Sequence, residues 1–137
     1  MEKQLKILLV EDDEVDVMNV KRAFDKARIQ NPVEVAKDGV HALSLLKDPS
    51  FSKERLLILL DINMPRMNGI ELLREIRKDP ELHSLPVVVL TTSDDERDKV
   101  DAFDLNVAGY LLKPVTFPKF VDILDVLNRY WTLVEWP

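Results

Sequence analysis

Residues 56–60 read Leu-Leu-Ile-Leu-Leu and run straight into Asp61. Five apolar residues in a row leave no polar face, so the run suits a short strand buried on both sides. Asn63, Pro65, Asn68 and Gly69 follow as turn formers. A strand covered on both faces calls for a parallel sheet with helices packed above and below it. It also leaves the Asp61 carboxylate at the strand's C-terminal end, where such sheets place their chemistry. Taken alone, Asp61 reads equally well as the end of a strand or the cap of the next helix.

The rest of the chain repeats the pattern. Strands are expected at 5–10, 33–36, 87–90 and 108–112, each followed by residues at helical spacing. The first helix opens at Asp13 or Glu14, carries Val17, Val20, Phe24 and Ala27 inward, and runs to about Arg28. The second is striped by Val40, Leu43 and Leu46 and stops near Asp48-Pro49. The third covers 69–78 with Ile70, Leu73 and Ile76 on one side, ended by Asp79-Pro80. Ser93 and Glu96 have capping-box spacing, so a fourth helix is expected there, anchored by Val100, Phe103 and Val107. The remainder of that helix is charged, so it should be weakly held. Thr116 caps the last helix, with Pro118 in its first turn. Strand and helix alternating five times mean an α/β domain. The expected form is a flavodoxin-like (βα)5 doubly wound sheet of five parallel strands in the order 2-1-3-4-5.

Composition narrows the function classes. A chain of 137 residues suits one domain, here 1–137 with a core over 5–129 and a tail over 130–137. About 24 residues follow Lys113, too few for an output domain after the last helix. The absence of cysteine excludes a disulfide framework and fits a cytoplasmic setting. A net charge of −6 with no basic run argues against nucleic-acid binding. The apolar run at 7–10 is too short for a signal-peptide core or a membrane span.

Polar residues stand at four strand ends: Glu11-Asp12-Asp13 after the first, Asp61 after the third, Thr91 after the fourth and Lys113 after the fifth. In the order 2-1-3-4-5 the first and third strands are neighbours at the point where the order reverses, which is the ligand-binding crevice. Glu11, Asp12 and Asp61 would crowd that crevice. Two like charges about 4 Å apart repel by roughly 4 kcal/mol at an effective dielectric of 20. Such a site must take up protons, a cation or a basic side chain. Carboxylate and carbonyl oxygens suit a hard cation, and Mg²⁺ fits best, with Mn²⁺ as the alternative ion. With Thr91 and Lys113 added, the site could hold a phosphoryl group on one carboxylate, which can itself be the nucleophile. Each residue also has an ordinary reading: solvated caps for the acids, a turn former for Asn63, a strand-end hydroxyl for Thr91, a surface charge for Lys113. A purely structural ion-pair cluster is the alternative for the group as a whole.

At these residues the chain resembles the receiver domain of two-component response regulators, from residue 5 to about 129. The marks are Leu-Val-Glu-Asp-Asp at 9–13, Leu-Leu-Asp-Ile-Asn-Met-Pro-Arg-Met-Asn-Gly at 59–69, Val-Leu-Thr-Thr-Ser at 89–93 and Gly-Tyr-Leu-Leu-Lys-Pro at 109–114. The resemblance implies that Asp61 is the phosphoryl acceptor and that Asp12 and Asp61 ligate the metal. The backbone carbonyl of Asn63 would complete the protein ligands, Glu11 would act through metal-bound water, and Asp13 would be a lesser participant. Thr91 is implied as the switch hydroxyl, Tyr110 as the aromatic switch and Lys113 as the partner of the phosphoryl oxygens. The Lys113–Pro114 bond is implied to be cis. Asn63 and Ser93 occupy positions that tune phosphate lifetime in the family. The polar segment 48–55, longer than usual, and the Trp-bearing C-terminal tail are similar to those of small regulators that work with bacterial phytochromes.

The implied partner is a sensor histidine kinase or a histidine phosphotransfer protein, with an unknown downstream protein as target. The last helix adds an expectation of its own. Phe117, Phe120, Leu124, Leu127 and Trp131 form one apolar stripe, and Ile123, Val126 and Tyr130, with Leu133 as its furthest member, a second, roughly opposite one. Ile123, Val126 and Tyr130 are therefore candidate interface residues for a homodimer or another partner through the fourth helix, fifth strand and last helix. The alternative is that the tail 133–137 folds over the second stripe. Competing functions are a phosphorylation-independent interaction module, an Asp-nucleophile phosphohydrolase and a flavin-binding domain. Asn63 stands where such hydrolases commonly have a second Asp, and three acids after the first strand would repel a flavin phosphate.

Overall fold

The computed structural model describes residues 6–26 and 28–113, together with 118, 121, 122, 125, 126 and 129. In chain order the elements are β1 (Lys6–Val10), α1 (Glu14–Lys26), β2 (Val33–Ala36), α2 (Gly39–Lys47), β3 (Leu56–Leu60), α3 (Gly69–Lys78), β4 (Val87–Thr91), α4 (Glu96–Asp104) and β5 (Gly109–Leu112). The described residues from 118 to 129 are helical. The strands are parallel and lie in the order β2-β1-β3-β4-β5, as expected. Among the described residues, no helix is long and apolar enough to cross a membrane.

Strand alternation explains the continuous apolar runs. Successive side chains leave opposite faces of a strand. Leu8 and Val10 of β1, Ile58 and Leu60 of β3, and Val87 and Val89 of β4 join the core shared with Leu46, Leu73 and Ile76. Ile7, Leu9, Leu57, Leu59, Val88 and Leu90 point the other way, onto Val20, Ala23 and Phe24 of α1. Every residue of β3 is buried. Five such side chains together contribute on the order of 10 kcal/mol of apolar burial, an upper figure for an extended reference chain.

Helix boundaries follow local caps. Asp38 caps α2 by accepting from the His41 N–H at 2.8 Å. Asn68 and Glu71 form a capping box at α3. Helix α1 ends at Lys26, and Arg28 adopts a left-handed φ of 59°, which a continuing helix does not allow.

The start of α4 differs from the expected capping box at Ser93. Asp95 is the N-cap and accepts from the N–H groups of Arg97 and Asp98. Ser93 is engaged elsewhere, its Oγ donating to Asp98 Oδ2 at 2.7 Å. The expected anchors also change. Val100 and Phe103 are 56% and 57% exposed, while Ala102 and, just beyond the helix, Val107 are buried. A helix with so few apolar residues takes its rotation from the surface it packs on, not from its own pattern. Val40, expected on the inner stripe of α2, is likewise exposed, and Ala42 is buried in its stead.

Candidate functional site

The ends of β1 and β3 are brought level by the parallel ladder. The Asp61 N–H donates to the Val10 carbonyl and the Glu11 N–H to the Ala36 carbonyl, each at 3.0 Å. Both carboxylates then emerge at the reversal of strand order. Glu11 and Asp61 are buried and Asp12 is exposed. The three carboxylates each present an oxygen within 4.8 Å of the other two.

Two further strand ends meet this group. Thr91, fully buried at the end of β4, donates its hydroxyl to Asp61 Oδ1 at 2.5 Å. The backbone of Lys113 donates to the Thr91 carbonyl at 2.8 Å, which fixes where its side chain starts. Its ammonium pairs with Glu11 and, at 2.8 Å, with Asp16 Oδ2 of α1, and lies 3.7 Å from Asp61 Oδ2. The Asn63 N–H donates to Asp61 Oδ1 at 3.3 Å. Asp13 is turned to α1, accepting from the N–H groups of Val15 and Asp16. It stands outside the close group of three carboxylates.

The electrostatics reflect crowding in a low-dielectric place. Burial pushes the Glu11 carboxyl up to about 8; Lys113 pulls it back and Asp61 adds to the rise. Burial opposes the charge on Lys113, but its bonds to Asp16 and Glu11 and the field of Asp61 outweigh it. Its pKa lies above the ordinary lysine value. The Lys113 ammonium pairs with Glu11, Asp16 and Asp61, and Asp12 adds a further carboxylate close to Glu11 and Asp61. The donors are all oxygen and the charge excess is negative, so the residues present fit a hard divalent cation.

Hydrogen bonds run outward from Asp61 towards α4 and β5. The Ser93 N–H donates to Thr91 Oγ1 at 3.2 Å, Tyr110 donates its hydroxyl to the Ser93 carbonyl at 2.8 Å, and Ser93 Oγ reaches Asp98. Two adjoining loops are tied beside the site. Arg66 pairs with Asp38 at 3.4 Å, and the Gly39 N–H donates to the Met67 carbonyl at 3.2 Å.

Comparison with known proteins decides the family. The family model described as "Response regulator receiver domain" matches residues 7–125. The chain belongs to the response-regulator receiver family. Response regulator Rcp1 of Synechocystis is 34% identical over 128 residues, covering 91% of this chain and 87% of Rcp1. The phosphorylated cyanobacterial phytochrome response regulator RcpA has a solved structure similar to this one, with a TM-score of 0.85, 32% identity and 98% of each chain covered. The Mn²⁺-bound form of Rcp1 is similar with a TM-score of 0.81 and 34% identity, covering 96% of this chain and 97% of that one. Receiver domains are signalling proteins of two-component systems and not typical turnover enzymes; they interact with sensor kinases and bind a divalent metal.

For this receiver domain the structure brings Glu11, Asp12, Asp61, Thr91 and Lys113 into one crevice and places Tyr110 one hydrogen bond from Ser93. The Lys113–Pro114 bond, and Ile123 and Tyr130 of the expected interface, lie outside the described residues. Val126 is 63% exposed. Two residues were not foreseen. Asp16 holds Lys113, and its one visible signal was an acid four residues after Asp12, a helical spacing. Arg77 donates to the carbonyls of Leu105, His83, Leu85 and Asn106 at 2.7–3.1 Å, and an arginine ahead of Asp79-Pro80 carries no sequence signal for that.

Proposed function

We propose that the protein accepts a phosphoryl group on Asp61 from a phosphohistidine of a sensor kinase or phosphotransfer protein, and relays this state through α4 and β5 to a protein partner. The observation carrying this reading is the approach of Thr91, Lys113 and two further carboxylates to one buried aspartate. One Asp61 oxygen forms the new bond to phosphorus as the donor's bond to phosphorus breaks, and the donor keeps that electron pair. Lys113 supplies positive charge beside Asp61, and Thr91 supplies a hydroxyl to the same carboxylate.

Asp12, Asp61 and the Asn63 carbonyl would hold Mg²⁺ or Mn²⁺, with Glu11 acting through water. The Mn²⁺-bound form of the related Rcp1 supports a divalent ion. When bound, the ion neutralises carboxylate and phosphoryl charge. Asp13, engaged as a helix cap, contributes less. The switch is a population shift: a changed Thr91–Asp61 contact biases Ser93, and through it Tyr110 and Asp98 of α4. Slow loss of the phosphoryl group to water resets the protein, in a cytoplasmic setting.

The test is labelling from a small phosphodonor. With Mg²⁺ the natural protein takes up phosphate that hydroxylamine releases, as expected of an acyl phosphate; Asp61→Asn or a chelator abolishes it. Undiminished labelling of Asp61→Asn would refute the assignment.

A further inference from the structure

Lys113 has three N–H donors, and two carboxylates take its short contacts: Glu11 and Asp16. Asp61 Oδ2 lies at 3.7 Å, beyond a good hydrogen bond. The lysine backbone is fixed by its bond to the Thr91 carbonyl, so its side chain alone chooses among these partners. The partners differ in what it costs to release them. The side chains of Glu11 and Asp61 are 2% and 7% exposed, whereas that of Asp16 is 33% exposed. A carboxylate with water already on it is re-solvated when its ammonium leaves, and a buried one is not. Asp16 sits in the first turn of α1 and is outside the close group formed by Glu11, Asp12 and Asp61.

A phosphoryl group on Asp61 would add negative charge beside Lys113 and favour turning the ammonium towards it. Asp16 opposes that turn twice, by holding the ammonium and by adding an anion to the crevice. We propose that Asp16 is a positioning residue that sets how readily the phosphoryl state forms, by competing with Asp61 for Lys113. This rests on Asp61 being the acceptor.

The experiment titrates the full chain with beryllofluoride, a phosphoryl analogue, in the presence of Mg²⁺, followed by ¹⁹F NMR. Asp16→Asn keeps the shape and removes the charge, and Asp16→Glu keeps the charge. Glu14→Gln removes an exposed charge from the same helical turn. Asp16→Asn is expected to bind beryllofluoride about threefold to tenfold more tightly than the natural protein, the scale of one partly exposed ion pair. Asp16→Glu and Glu14→Gln should stay within about twofold, a change of at most half a kcal/mol. Damage to the fold would weaken binding, so tightening separates positioning from structure. Equal or weaker binding by Asp16→Asn overturns the proposal while leaving Asp61 as acceptor. An equal gain in Glu14→Gln also overturns it, by showing a general charge effect. Failure of the natural protein to bind the analogue overturns the acceptor assignment and this proposal with it.

Discussion

Gly69 passes so close to Asp61 that there is no room for a side chain. An added Cβ would collide with the Asp61 carbonyl oxygen and lie 2.8 Å from Ile62 Cα. Both obstacles are backbone, so neither can rotate away. The Gly69 N–H also donates to the Ile62 carbonyl at 3.0 Å, closing the loop that follows Asp61. Gly69→Ala is therefore expected to destabilise the protein by about 1–3 kcal/mol. It should also slow phosphoryl uptake by displacing Asp61. Denaturant melts and labelling of the same preparation check both; wild-type values in both would show that the loop yields freely. At this scale the convergence was legible: Asp61, Thr91 and Lys113 stand at strand ends, and strand ends in a parallel sheet converge. Asp16 was not legible, because its partner Lys113 is 97 residues away and no local pattern links them.

Helix α4 is held chiefly from outside itself. Ala102 is its buried residue, and its polar surface carries one link to α3, Arg74 to Asp101 at 3.8 Å. The stronger fastening is Arg77 of α3, whose guanidinium takes the carbonyls of Leu105 and Asn106 at the end of α4 and those of His83 and Leu85 before β4. Helix ends leave carbonyls without intrahelical partners, and a cation there satisfies them and suits the helix dipole. Burial lowers the Arg77 pKa, yet a guanidinium stays charged. Arg77→Met removes these bonds and leaves carbonyls short of donors. A loss of about 2–4 kcal/mol is expected, with faster amide exchange through α4 and residues 105–108. Arg77→Lys should recover little, since an ammonium cannot present the same planar fork. Amide exchange confined to the C-terminal half of α3 would contradict this placement. Such a clamp leaves the N-terminal end of α4, where Ser93 meets Asp98, as the end free to respond to the site.

Across the described residues, several large apolar side chains stay exposed, among them Val15 and Met18 of α1 and Val40 of α2. Val100, Phe103, Leu112 and Val126 are each more than two-fifths exposed, and they belong to α4, β5 and the C-terminal helical residues. Contiguous exposed apolar area marks association surfaces in general, and self-association through α4 and β5 is proposed on that ground. Self-association is expected to strengthen with beryllofluoride and Mg²⁺, and Phe103→Glu to weaken it. Sedimentation measures this directly, and a monomer at high concentration with and without the analogue would exclude it.

The sequence by itself determined the sheet. Runs such as 56–60 are apolar at every position because both faces of β3 are covered, and the alternation of such runs with helical stretches calls for helices on both sides of a parallel sheet. Right-handed crossovers leave few strand orders; 2-1-3-4-5, with its crevice at the reversal, is the expected one among them and the one observed. Tertiary structure decided the rest. Helix α4 lacks enough apolar residues to fix its own rotation, so packing on α3 and the Arg77 clamp turned Ala102 inward and Val100 and Phe103 outward. The partner that holds Lys113 was decided the same way, by a first turn of α1 that folding brings to the end of β5. Burial of long apolar runs is a local demand written along the chain, whereas the pairing of distant charges and the phase of a polar helix depend on surfaces that exist only once the sheet has formed.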